Sequence, residues 1–166
     1  MIIIHPKNNK KINYYFYYVR FILFGSIAST SLPPLSVFPF IFLISIPIFH
    51  FCENQNPKKA FLIGFFTALG WFAASLYWLS NSLVIGGQQF IWMIPFVFLG
   101  FPAFLSIFWG LAFYFANFFG KSFVEKMIMI SIFLPIFEWL RGNILTGFPW
   151  NMLGFVLSHP LEISQT

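Results

Sequence analysis

Charge is what this sequence has least of. Charged residues make up 8% of its 166 residues, against about 25% in an average soluble domain. So few polar groups cannot cover the surface of a soluble domain, and this excludes an ordinary water-solvated globule. Acidic residues are scarcer than basic ones, four Asp and Glu against nine Lys and Arg. The basic residues nevertheless form no stripe along which a phosphate backbone could lie, which excludes a nucleic-acid partner. Cysteine is present once, as Cys52. An internal disulfide and a cysteine-based zinc site are therefore excluded. His5, His50 and His159 are too scattered to give a metal spacing, so no metal and no cofactor is expected.

What is present is apolar. Hydrophobic residues account for 59% of the chain and phenylalanine alone for 27 positions, with a mean hydropathy of +0.82. Lipid is the expected solvent.

The apolar residues fall into five runs. Residues 1–13 form a polar, basic tail. The first run, 14–32, is broken only by Arg20, whose aliphatic stem allows its head to reach the headgroups. Its apolar core behind Lys7, Lys10 and Lys11 also resembles a signal peptide, with Ala28-Ser29-Thr30 a weak cleavage site, but a retained span is the reading preferred here. Pro33-Pro34 forces a turn, and the run 35–52 returns with Pro39 and Pro47 inside it. After the loop Glu53–Lys59 comes a third run, 60–79, with the small pairs Gly64/Ala68 and Gly70/Ala74. Such pairs let a neighbouring helix approach closely, which predicts an interior position for this helix. The fourth run, 90–119, would be about 45 Å long as a single helix and is expected to kink at Pro95 and Pro102. The fifth, 123–141, carries charge at both ends.

The expected fold class is therefore all-α, a polytopic transmembrane bundle of about five spans over residues 14–141. Lysine-rich segments at 7–20, 58–59 and 121–126 give it one orientation, with the N-terminus cytoplasmic and every basic residue but Arg141 inside. Cys52 then sits on the cytoplasmic side as a small apolar residue near the interface.

Residues 142–166 face outward in this scheme. Glu138 and Arg141 are three apart, share a helix face and are expected to pair. Gly142 suits a left-handed helix stop. Gly147 and Pro149 punctuate the chain again, and Pro149 suits the first turn of a new short helix. Trp150 has the amphipathic ring of a headgroup anchor. This predicts a short interfacial or re-entrant segment after the fifth span. Physical reasoning alone leaves two readings open, a scaffold element and a site.

A resemblance bears on that choice. Glu138-Trp-Leu-Arg141-Gly, then Thr-Gly147-Phe148-Pro149-Trp150, then Gly154-Phe155, resembles the signature of the apolipoprotein N-acyltransferase family. The turn at 31–34 and the aromatic pair Tyr77-Trp78 agree more weakly. The resemblance implies a bacterial inner-membrane protein. It implies transfer of an acyl chain from a phospholipid to the N-terminal amine of a diacylglyceryl-cysteine lipoprotein, through a cysteine thioester in a nitrilase-like domain with Glu and Lys partners. Phospholipid and lipoprotein are the implied substrates. Glu138, Arg141, Gly147, Phe148, Pro149 and Trp150 are the implied lipid-facing residues, with Tyr77 and Trp78 secondary.

No catalytic residue of that triad is expected within these 166 residues. Cys52 lies on the wrong side, and no lysine follows Lys126. The sequence reads as a membrane half truncated before the catalytic domain and inactive alone, with a separately encoded nitrilase-like domain as a possible partner. The alternative is a small non-enzymatic membrane protein, such as a scaffold or a transporter half.

Overall fold

A computed structural model describes residues 9–85, 88–144, 149 and 151–158. The described residues hold six α-helices and several tighter turns, and no strand. The all-α expectation is met.

Helix α1 spans Asn9–Ala28 and closes through a 3-10 turn at Ser29–Ser31. Leu32 N–H donates to the Ser29 carbonyl at 3.0 Å, and the Pro33–Pro34 peptide bond is cis. The second apolar run does not form one α-helix. It runs as a 3-10 helix over Phe38–Ile44 and then as α2, Ser45–Glu53. A 3-10 helix rises further per residue than an α-helix, so this short run reaches about 27 Å.

Helix α3, Pro57–Ser75, starts cleanly, with Pro57 in its first turn and the Asn56 side chain accepting the Lys58 N–H at 2.9 Å. The third run was expected to continue unbroken to Leu79. It ends instead at Ser75, and α4, Trp78–Ile85, leaves at 44°. Ser75 Oγ donates back to the Trp71 carbonyl at 2.7 Å, a side-chain bond that bends helices at this position.

The fourth run enters through a 3-10 turn at Gln88–Met93, opens into a π-helical turn at Phe96–Gly100, and continues as α5, Phe101–Phe119. The widened turn lies between Pro95 and Pro102, where kinks were expected. Helix α6 spans Phe123–Asn143 with Pro135 inside it. Ser122 caps it, accepting the Glu125 N–H at 3.2 Å, while the Glu125 carboxylate accepts the Lys121 N–H at 2.9 Å.

Among the described residues, one continuous helical stretch, Ile91–Phe119, is long and apolar enough to cross a membrane. The bent pair α3 and α4 passes the same test if taken as one span. Helices α1 and α6 have similar lengths but carry ionisable residues, Lys10, Lys11 and Arg20 in one and Glu125, Lys126, Glu138 and Arg141 in the other.

Helix α3 is the centre of the packing, with α1 on one side and α5 on the other. At the α1 crossing the two backbones touch. A Cβ on Gly70 would lie 2.0 Å from the Ile22 carbonyl oxygen, and one on Gly25 would lie 1.9 Å from that of Thr67. Gly64 serves the other side, lying under the Phe113 ring of α5. The small residues of the third run thus make the interior helix they predicted.

One end of the bundle is locked by polar contacts. Lys126, expected among the cytoplasmic charges at the start of the fifth run, lies in the first turn of α6 with no exposed surface. Its Nζ donates to the Cys52 carbonyl at 3.2 Å and to the Asn54 carbonyl, which also accepts from Asn117 Nδ2 at 2.7 Å. A buried ammonium needs such acceptors, and the carbonyls at the end of α2 provide them. Cys52 is buried beside this lock, with 2% of its surface exposed.

Candidate functional site

The opposite end holds the motif. Pro135 removes one rung from the α6 ladder, and one turn later Glu138 points into the bundle with 8% of its surface exposed. Its partner is not Arg141. Glu138 Oε1 accepts from Trp109 Nε1 of α5 at 3.3 Å and from the Leu153 N–H at 3.2 Å. The expected ion pair is thus replaced by two neutral donors. The i, i+3 spacing does put both residues on one side of α6, but Trp109 is fully buried and its only polar atom requires an acceptor.

Arg141 is 4% exposed, and its Cζ lies 4.9 Å from the centre of the Phe72 ring. None of its guanidinium nitrogens has a hydrogen-bond partner among the described residues. Its charge is held against an aromatic face and beside the Glu138 carboxylate. Gly142 does not adopt the left-handed conformation. It remains helical, α6 continues to Asn143, and Ile144 leaves in an extended conformation. The lack of a side chain at Gly142 serves packing instead, since an added Cβ would meet Met152 Cε at 2.7 Å.

Residues 151–158 lie over this end of the bundle. Trp71 Nε1 of α3 donates to the Asn151 carbonyl at 2.9 Å, a second tie beside the Leu153–Glu138 bond. Asn151 has a φ of 40°, in the left-handed region that asparagine tolerates better than most residues. The short helix anticipated at Pro149 forms later, as a 3-10 turn over Leu153–Ser158 that buries Val156. Beneath it lie Trp71, Phe72 and Trp109, with the Trp71 and Trp109 ring centres 5.9 Å apart.

Beside this platform is a cavity of about 450 Å³. Tyr77, Trp78 and Asn151 line it, facing the Pro33-Pro34 turn and the hydroxyls of Ser29, Thr30 and Ser75. Those hydroxyls donate back to their own helices at 2.7–2.8 Å, which leaves oxygen lone pairs as acceptors toward the cavity. Tyr77 is 57% exposed at its mouth. Aromatic surface, acceptor oxygens and an apolar floor suit the interfacial part of an amphiphile.

The candidate residues therefore divide. Glu138 and Arg141 are brought together on the platform, and Tyr77 and Trp78 meet the motif segment through Asn151 at the cavity. Pro149 is half-buried near Gly142. Gly147, Phe148 and Trp150 lie outside the described residues, as do His5 and His159. Sequence reasoning missed Trp71, Phe72 and Trp109, which support the site from two other helices. A tryptophan within an apolar run signals a buried N–H in need of an acceptor, and that signal was available for Trp71 and Trp109. No group of three metal-ligating side chains occurs among the described residues.

Known sequences match this chain. The family model for the apolipoprotein N-acyltransferase N-terminal domain matches residues 24–166. Similar proteins include the apolipoprotein N-acyltransferases of Rhodopseudomonas palustris, 30% identical over 87% of this chain, and of Bradyrhizobium diazoefficiens, 35% identical over 86%. That of Rhizobium etli is 34% identical over 80% of the chain. The matched region is 28%, 28% and 27% of these three relatives, so the chain spans little more than a quarter of their length. The chain belongs to the apolipoprotein N-acyltransferase family, through its N-terminal domain.

Proposed function

We propose that this chain is a five-span, multi-pass protein of the bacterial inner membrane with a cytoplasmic N-terminus. In this reading it is the membrane half of an apolipoprotein N-acyltransferase. The reaction served is transfer of a phospholipid acyl chain to the N-terminal amine of a diacylglyceryl-cysteine lipoprotein. Residues 1–13 form the cytoplasmic tail, 14–141 the bundle, and 142–166 the outward segment. An outer surface rich in exposed Phe, Ile, Leu, Val and Trp supports a lipid solvent, with Phe42, Trp92, Val124 and Trp139 among its members.

The observation that carries the reading is the double tie of the motif segment, Leu153 to Glu138 and Asn151 to Trp71. These ties set the segment beside the cavity of Tyr77 and Trp78, where an acyl donor or a lipoprotein headgroup would lie. Glu138 positions the segment, and Arg141 supplies a buried positive charge on the same face. Gly147, Phe148, Pro149 and Trp150 complete the lipid-facing surface in this proposal.

The thioester chemistry lies elsewhere. Acyl transfer through a cysteine needs a thiolate, a base and an oxyanion donor placed together. Cys52, the one cysteine, is buried at the Lys126 end of the bundle, remote from the motif. Residues 1–166 alone should therefore be inactive, and activity should require a nitrilase-like domain, supplied separately if need be. The test is to purify the chain alone and with such a domain, then assay acyl transfer from phosphatidylethanolamine to a diacylglyceryl-cysteine peptide. Activity only in the mixture supports the proposal, and an acyl-thioester formed by the chain alone refutes it.

A further inference from the structure

A second groove lies at the Lys126 end, far from the motif. It is an open groove of about 400 Å³ between α3 and α5. Lys58, Phe61 and Leu62 form one wall and Leu111, Tyr114 and Phe115 the other. Each wall is an i, i+3, i+4 triplet, so each lies on a single helix face.

The groove is built rather than left over from loose packing. Gly110 has no side chain because Phe61 occupies its space, and a Cβ there would meet the ring at 2.7 Å. Phe61 in turn stacks on Phe65 at 5.9 Å, and Phe115 stacks on Phe137 of α6 at 5.8 Å. The walls are thus held by aromatic neighbours and are apolar over almost their whole length.

The charge lining the groove is of one sign. Lys58 is its one charged lining residue, and Lys59 follows it, exposed. The Asn117–Asn54 bond holds the end of α5 against the turn before α3, which brings Lys121 to the same end. Two carboxylates stand at this end as well, but neither lines the groove. Glu125 binds Ser122 and the Lys121 N–H, and Glu53 lies 3.7 Å from His50 Nδ1.

We propose that this groove binds one anionic phospholipid of the inner leaflet, with an acyl chain between α3 and α5 and its phosphate on Lys58. A hydrocarbon chain fits a groove whose only charge stands at its mouth, and a cation there selects an anionic headgroup. The inference rests on the membrane reading above and is independent of the acyltransferase reading.

The test uses the full chain in detergent, with native mass spectrometry to count retained phosphatidylglycerol and phosphatidylcholine. One phosphatidylglycerol per chain should be held about fivefold better than phosphatidylcholine, the preference expected for one lysine at a membrane surface. Lys58→Ala and Lys58→Glu should abolish that preference, and Lys58 is exposed enough for folding to survive either change. Leu111→Trp should fill the groove and lower retention of both lipids, whereas Val124→Trp, on the outer face of α6, should change nothing. Equal retention of the two lipids, or a preference that survives Lys58→Glu, overturns the inference. A chain that fails to enter vesicles of either lipid overturns the membrane reading and this inference with it. A chain that enters both without preference overturns this inference alone.

Discussion

Trp109 Nε1 donates to Glu138 Oε1 at 3.3 Å, joining α5 to α6 inside the motif end of the bundle. The same oxygen accepts the Leu153 N–H, so one carboxylate orients both a core tryptophan and the segment after α6. This relationship sets the expected order of substitutions at position 138. Glu138→Ala strands one buried and one part-buried donor and removes the carboxylate beside Arg141, and should lower stability by about 3–5 kcal/mol. Glu138→Gln keeps an acceptor oxygen in the same place and should cost clearly less. Thermal unfolding in detergent reads both, and equal losses would mean that the hydrogen bonds to Oε1 contribute little.

The crossing of α1 and α3 gives a second expectation. Gly70→Ala puts a Cβ where the Ile22 carbonyl oxygen now lies, at 2.0 Å, and neither group is a flexible side-chain end. The helices must separate, at a cost of about 1–3 kcal/mol for overpacking. Gly154→Ala, with nothing within 4 Å of an added Cβ, is the matched control and should be nearly silent. A fall in melting temperature confined to Gly70→Ala is expected. Equal melting temperatures would rule out the close crossing.

The lock at the other end predicts an asymmetry between its members. Lys126→Met removes the ammonium but leaves the Asn54 carbonyl with Asn117 as a donor, so one acceptor of two stays satisfied. A loss of about 1–2 kcal/mol is expected. Asn117→Leu should cost a similar amount, and the double variant should cost more than the sum, because the Asn54 carbonyl is then left bare. A strictly additive double variant would show that the two side chains do not share that acceptor.

Much of this architecture was legible because apolar runs and their punctuation are read by the same physics that folds them. Pro33-Pro34 marks a helix boundary in the sequence and marks one in the structure, whereas the starts of α3 at Asn56-Pro57 and of α6 at Ser122-x-x-Glu125 went unread, with Pro57–Lys59 expected in a loop. The small residues around Gly70 announced an interior helix. The break at Ser75 was not legible, because a serine that bonds back to its own helix looks like any other serine. Nor was the 3-10 start of the second run, where chain order shows no change of period. At the site, spacing put Glu138 and Arg141 on one face but said nothing of Trp109, which arrives from another helix and takes the carboxylate. Long-range partners of this kind are invisible to local periodicity. For the same reason the sequence places Lys126 only at the charged start of a run and does not reveal its burial against the carbonyls at the end of α2.

The central claim is that the motif segment faces outward from a five-span bundle whose N-terminus is cytoplasmic. Single cysteines at Lys59, Ser82, Lys121 and Asn151, each in a Cys52→Ala background, test it directly with a membrane-impermeant maleimide on intact spheroplasts. The loop asymmetry of lysine and arginine predicts labelling at positions 82 and 151 without lysis, and at 59 and 121 only after lysis. Labelling of position 151 only after lysis would contradict the account, because α6 would then not cross the membrane and the site would face the cytoplasm.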